Sequence, residues 1–350
     1  MDAPWLAPWL ARIDHASEGA IKDMPIGQTD VRRLREGQVG CQFWSAFVPD
    51  PDQGGAGTEP QLETLRATLQ QIDLLHALFE RHPANFGFVD RADDILPVFR
   101  SGRIASLLGI EGLHQIAKSA SILRMNIYCE SANAEASAGK GLSDEGRAMI
   151  TEMNRIGMMV DLSHTSPQTQ LDVLALSRAP VLFSHSSCFS LCNHRRNVTD
   201  EALDKVAENG GIIMICFLPS LVGAGDGSKP TVGHIADHVE HVGRRIGYDH
   251  VGIGSDFEGM LEGPEGMEDV SQHPQLVAEL IRRGRGEKEL AGILGLNLIR
   301  VLMRAEETAR EMESEDIEIL FDEHPEVWTK EQKTILSEAG RMRQAQRSRT

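Results

Sequence analysis

The chain has 350 residues, 41% hydrophobic and 25% charged, which is enough apolar surface for a sizeable core and excludes a disordered or fibrous protein. Lysine and arginine number 35 against 52 acidic residues, a net charge of −17 that argues against a nucleic-acid surface and against docking on anionic lipid. No stretch approaches the ~18 consecutive apolar residues of a transmembrane helix.

The N-terminal MDAPWLAPWLARIDHASEG lacks the basic start and unbroken apolar stretch of a secretory signal. Cys41, Cys129, Cys188, Cys192 and Cys216 are scattered and complete no metal-binding set, so they read as free thiols and a reduced, cytoplasmic setting is expected. In chain order, Val39–Val48 is the first short apolar run of the kind that suits a parallel strand buried on both faces. Glu59–Arg81 follows with Leu62, Leu65, Leu69, Ile72, Leu75 and Leu78 three and four apart, one apolar face of a helix. Ile104–Ile110 is the second run. Ser143 can cap a helix that opens on Asp144 and Glu145, acidic residues favoured at the positive end of the dipole.

Met158–Leu162 and Pro180–Phe183 are the next runs. Thr199 can cap a helix that Asn209-Gly210 stops, and Gly211–Leu218 follows as a strand. Thr231–Ile246 reads as helix, His250–Gly254 as strand and Pro274–Met303 as helix with proline in the tolerated first turn. Ala305–Thr350 is charged and reads as a surface helix and tail. Repeated strand–helix alternation predicts a parallel α/β fold, and at this length a TIM-like (β/α) barrel.

Polar residues at the ends of these runs carry the chemistry. Glu111 ends LLGIEG, His164 ends MMVDLSH, His185 ends VLFSHS and Asp256 ends VGIGSDFEG. In a barrel the C-terminal strand ends meet on one face, so these four would converge. Imidazole and carboxylate together are the ligand set of zinc or iron hydrolases. His234, His238 and His241 lack the glutamate of the helical zinc signature and read as a solvated helix face. The glycine-rich stretch 223–227 reads as a loop, and the absence of a G-x-S-x-G elbow leaves covalent acyl transfer without support.

At DLSH (161–164), SHSSCFSLCNHRRNV (184–198), VGIGSDFEG (251–259), LLGIEGLH (107–114) and TDVRRLREGQVGCQFWSAFVP (29–49) the sequence resembles the membrane (renal) dipeptidase family of binuclear zinc peptidases, with the flavour of its fungal members, some of which process peptide-derived secondary metabolites. The resemblance implies a small-peptide substrate and two zinc ions bridged by Glu111. It also implies that His164 and His185 are ligands of the second zinc and that Arg196 holds the substrate carboxylate. Asp256 would handle protons near the first zinc. It leaves a homodimer open.

Two blocks of that pattern are missing. In place of an N-terminal H-x-D pair the chain has Ile13-Asp14-His15-Ala16, and between Ser121 and Leu142 it has no histidine. The first and fourth barrel strands are therefore expected to be degenerate or absent, and one zinc to be tightly held. The expected organisation is a divergent segment over 1–28, a hydrolase barrel over 29–304 and a charged helix and tail over 305–350. Beside an active dipeptidase, the residues leave open a non-catalytic relative that binds one metal and a peptide or partner, and a mononuclear hydrolase of cyclic amides.

Overall fold

The computed structural model describes residues 24, 27–48, 58–112, 115, 141–223, 227–315, 317, 320 and 328–347. Asp14, His15 and the stretch 122–130 lie outside the described residues.

The apolar runs become parallel strands. In chain order, α1 (Val31–Glu36), β1 (Cys41–Ala46), α2 (Thr58–Arg81), β2 (Phe86–Phe88), α3 (Ala92–Arg100) and β3 (Ile104–Ile110) make the first half. Its sheet has the order β1-β3-β2, with Cys41 opposite Ala105 and Ala46 opposite Ile110. Trp44 is buried against Phe79 and Phe86, with ring centroids 5.8 and 5.6 Å away. The second half runs through α4 (Asp144–Arg155), α5 (Pro167–Leu176), β4 (Leu182–Ser186), α6 (Asp200–Asn209), β5 (Ile212–Ile215), the single turn α7 (Pro219–Val222), α8 (Val232–Ile246) and β6 (Val251–Ile253). Its sheet has the order β4-β5-β6 and is also parallel. Phe183, Ile212, Ile213, Ile215 and Val251 are fully buried. A sheet covered on both faces reads in sequence as unbroken apolar residues for this reason.

Among the described residues these are two separate parallel sheets rather than one closed ring. The run Met158–Leu162 forms only a parallel bridge, Asp161 to Leu182, backed by hydrogen bonds from Leu162 N to Leu182 O (2.8 Å) and from Leu182 N to Val160 O (3.0 Å). β4 starts two residues later than expected, so His185 lies inside the strand instead of after it. β2 was not anticipated: three residues carry too little pattern.

The expected caps hold. Ser143 accepts from Gly146 N (3.1 Å), Thr199 accepts from Ala202 N (3.2 Å), and Gly210 ends α6 in the left-handed conformation at φ 79°. The single helix expected over Pro274–Met303 is instead three elements: α9 (His273–Arg282), α10 (Glu287–Ala291) and, after a π-helical turn over Gly292–Leu296, α11 (Asn297–Ser314). Gly284, at φ 88°, stops the first. At Gly292 a Cβ would lie 2.7 Å from Asn297 Oδ1. That asparagine ties α11 to the sheet by donating to the carbonyls of Tyr248 and Val251, both at 2.8 Å. α11 packs on α3 and α4 and continues past residue 304, burying Ala305, Thr308 and Met312, so the boundary expected at 304/305 falls inside a packed helix. The last element, α12 (Lys330–Arg347), is exposed at every described side chain but Ala339, which is half-buried. No described helix is long and apolar enough to cross a membrane.

Candidate metal centre

Glu111 directly follows β3, and its backbone N–H extends the ladder to Ala46 O (3.1 Å). His164 sits in the turn after the 158–162 run, with left-handed backbone (φ 67°), a conformation that histidine tolerates better than most side chains. His185 is buried within β4. These three side chains meet. His164 Nε2 is 2.8 Å from His185 Nε2 and 3.1 Å from Glu111 Oε1, and His185 Nε2 is 3.5 Å from the same oxygen. The candidate ligand atoms all lie within 4.8 Å of one another.

Burial, reinforced by nearby His164 and Arg196, holds the His185 imidazole well below its ordinary range, so the ring is neutral and keeps a free lone pair. Two imidazole nitrogens and a carboxylate oxygen converging on one point are a donor set that fits zinc.

Asp256 lies outside that trio. It follows β6 in left-handed conformation (φ 66°) and is buried. The strand end can approach β4 because position 254 is glycine; a Cβ there would collide with the Ser184 carbonyl oxygen. The neighbour of Asp256 that sequence reasoning missed is Cys216. Its thiol is fully buried, receives Leu218 N–H (3.3 Å) and donates to Asp256 Oδ2 (3.7 Å). Burial, and then the charge of Asp256, push this thiol well above its usual range, so it stays protonated as a donor.

Arg196 and Arg195 part company. Arg195 is exposed, whereas Arg196 is half-buried and electrostatically within reach of both His185 and Cys216. Its Nε and Nη2 are buried with no hydrogen-bond partner among the described residues. The loop that carries it is closed by a parallel bridge from Cys188 to Val198 and by Asn197 Nδ2 donating to Cys192 O and Leu221 O, both at 2.9 Å. Buried guanidinium nitrogens are normally hydrogen-bonded, and the planar fork of arginine suits a carboxylate.

The histidine trio on α8 needs correction. His238 is buried, with Nδ1 accepting from Cys188 N (3.0 Å), His234 Nδ1 accepts from Thr231 N at the helix cap (3.1 Å), and His241 Nε2 pairs with Asp200 (2.8 Å). They line a groove of about 620 Å³ whose arginines are matched by acids, Arg245 with Asp200 and Asp204 and Arg283 with Asp237. His238 is thus a buried structural partner rather than part of a solvated face, while His234 and His241 stay partly exposed. Cys41, Cys188, Cys192 and Cys216 are free thiols, and Cys129 lies outside the described residues.

Comparison with known proteins bears on the same residues. The family model described as membrane dipeptidase (peptidase family M19) matches residues 1–128 and 125–316. Dipeptidase ataJ of Aspergillus terreus is 45% identical over 379 aligned positions that cover 98% of this chain and 92% of that protein. Dipeptidase verJ of Clonostachys rogersoniana is 45% identical, covering 88% of this chain and 83% of that protein. Among solved structures, a metallo peptidase from Rhodobacter sphaeroides, liganded with a phosphinate mimic of the dipeptide L-Ala-D-Ala, superposes with a TM-score of 0.75 at 24% identity, over 86% of this chain and 97% of that one. The probable dipeptidase PvdM from Pseudomonas aeruginosa does so at 0.75 and 20% identity, over 83% and 91%. The architecture is thus the TIM-like barrel of these dipeptidases, and the chain belongs to the membrane dipeptidase family, peptidase family M19, a family of zinc metallopeptidases.

Proposed function

We propose that this protein hydrolyses the peptide bond of dipeptides at a zinc site formed by Glu111, His164 and His185. The observation that carries the reading is the convergence of those three side chains, from three separate segments of the chain, on one point. When bound, zinc supplies Lewis acidity toward the peptide carbonyl. Arg196 takes the carboxylate of the dipeptide with the two buried nitrogens that have no partner among the described residues, which sets the register of the scissile bond. Asp256, steadied by the Cys216 thiol, exchanges a proton with the reacting groups. The two fungal relatives named as dipeptidases support a role in small-peptide turnover.

The test pairs elemental analysis of purified protein with hydrolysis of a simple dipeptide. Unsubstituted protein should carry zinc and turn over, and Glu111→Gln should lose both. Turnover that survives Glu111→Gln would overturn the reading.

A second reading, in which one zinc is held and turnover is weak or absent, is favoured by a specific observation. The alignment with ataJ runs over 379 positions, more than the 350 residues of this chain, so that relative carries residues with no counterpart here. The family match breaks into two stretches that meet at residues 125–128, inside the segment between Ser121 and Leu142 that has no histidine. Turnover lower by orders of magnitude, with one zinc retained, would select this reading.

A further inference from the structure

His185 Nε2 faces His164 and Glu111, and at Nδ1 the same ring meets a chain of polar groups. Ser184 Oγ lies 2.7 Å from His185 Nδ1. The Ser184 hydroxyl also hydrogen-bonds to Asp161 Oδ2. The other oxygen of that carboxylate, Oδ1, accepts the backbone N–H groups of Ser163 (2.9 Å) and Ser184 (3.0 Å). Ser163 Oγ in turn accepts the backbone N–H of His185 (3.0 Å). One carboxylate thereby binds the turn that carries His164 to the strand that carries His185.

The direction of the proton chain follows from the chemistry of its end. A carboxylate only accepts, so the Ser184 O–H points at Asp161. The hydroxyl oxygen is then an acceptor toward the ring, and His185 Nδ1 must supply the hydrogen. A neutral imidazole has one ring proton, so Nε2 is left with a lone pair aimed at the ligand cluster. We propose that Asp161 is a positioning residue that, acting through Ser184, locks His185 in the Nδ1–H tautomer and so presents Nε2 to the metal. This rests on His185 being a zinc ligand. Such partners of metal-bound histidine tune affinity as well as orientation.

Asp161→Asn is the decisive substitution. The amide keeps the Oδ1 acceptor for both backbone groups but puts an N–H where Oδ2 stood. Ser184 Oγ then accepts from the amide and turns its own hydrogen toward His185 Nδ1, which moves the ring proton to Nε2 and blocks the ligand atom. In metal-free protein labelled with ¹⁵N-histidine, the His185 resonance, identified by its loss in His185→Asn, should change from the Nδ1–H to the Nε2–H pattern. Zinc affinity by chelator competition should fall about 10- to 100-fold.

Ser184→Ala should also weaken zinc, and Ser184→Thr, which restores the hydroxyl, should recover it. Should Asp161→Asn fail to fold, this serine pair decides. An Nε2–H ring in unsubstituted protein, or unchanged zinc affinity in Ser184→Ala, would overturn the relay. An Nδ1–H ring that flips in Asp161→Asn, in a protein that takes up no zinc, would uphold the relay and overturn the zinc reading instead.

Discussion

Replacing Arg196 by lysine keeps the positive charge and removes the fork. In the folded chain the Nε and Nη2 of Arg196 are buried and without partners among the described residues, so a substrate carboxylate would be held by two parallel charge-assisted hydrogen bonds. Lysine can present a single ammonium, and its shorter reach leaves one of those bonds unmade. A hydrogen bond to a charged group contributes about 1.5–3 kcal/mol, which corresponds to roughly a 10- to 150-fold loss in kcat/KM. The loss should fall mainly on KM, because the carboxylate is held equally in ground and transition states. The assay is steady-state hydrolysis of a dipeptide, with the matching dipeptide amide as a second substrate. The amide lacks the carboxylate and should not distinguish the variant from the parent. Arg195→Lys, at an exposed position, serves as the control and should change little. Arg196→Lys with KM within about twofold of the parent would refute the clamp, since a point charge does not reproduce a bidentate contact.

Elemental analysis should find close to one tightly bound zinc per chain, lost in Glu111→Gln; two zinc ions per chain with brisk turnover would mean that segments beyond the described residues supply a second ligand set. His238 should make the fold acid-sensitive. Burial holds its pKa at about 4, against about 6.5 when unfolded, so the unfolded chain takes up the proton first and stability falls as pH drops from about 6.5 toward 4, at up to ~1.4 kcal/mol per pH unit. Denaturant unfolding between pH 7 and 5 should show a shallower decline in His238→Gln, and parallel curves would count against it. Gly210→Ala should cost about 1 kcal/mol and lower Tm by a few degrees: the site is open, with nothing within 4 Å of a Cβ, and only the φ of 79° opposes the substitution. An unchanged Tm would show that the turn adapts.

The strands were legible because burial on both faces leaves long apolar runs, and the metal trio because each of its members follows or ends such a run. What stayed hidden depends on how segments lie across one another. Asp161 and Ser184 stand inside motifs that were read for their histidines, yet their link exists only because the 158–162 segment pairs with β4. Cys216 reads as one more apolar residue of a strand until Asp256 arrives from β6. His238 looked solvated because nothing local to it announces that the Cys188 loop hydrogen-bonds to its ring. The helix over 274–303 was overextended although residues 282–289 (RRGRGEKE) hold no apolar side chain, and Gly284, in left-handed conformation, marks the break there.

His164, Asp256 and Glu258 share a left-handed backbone that costs most side chains of order 1–2 kcal/mol, whereas glycine adopts it freely. Alanine scanning would therefore confound two quantities at these positions. His164→Ala removes the imidazole but leaves a Cβ in an unfavourable conformation, so a lost activity would be mixed with a weakened fold. His164→Gly removes the ring and relaxes the backbone together, and the difference in unfolding free energy between the two variants isolates what the turn stores. The same logic means that a copy of this chain freed from its chemistry could gain stability by a glycine at 164, erasing the residue that gave the turn its purpose, whereas at Glu258 the buried bond from Gln28 N would be lost with the side chain.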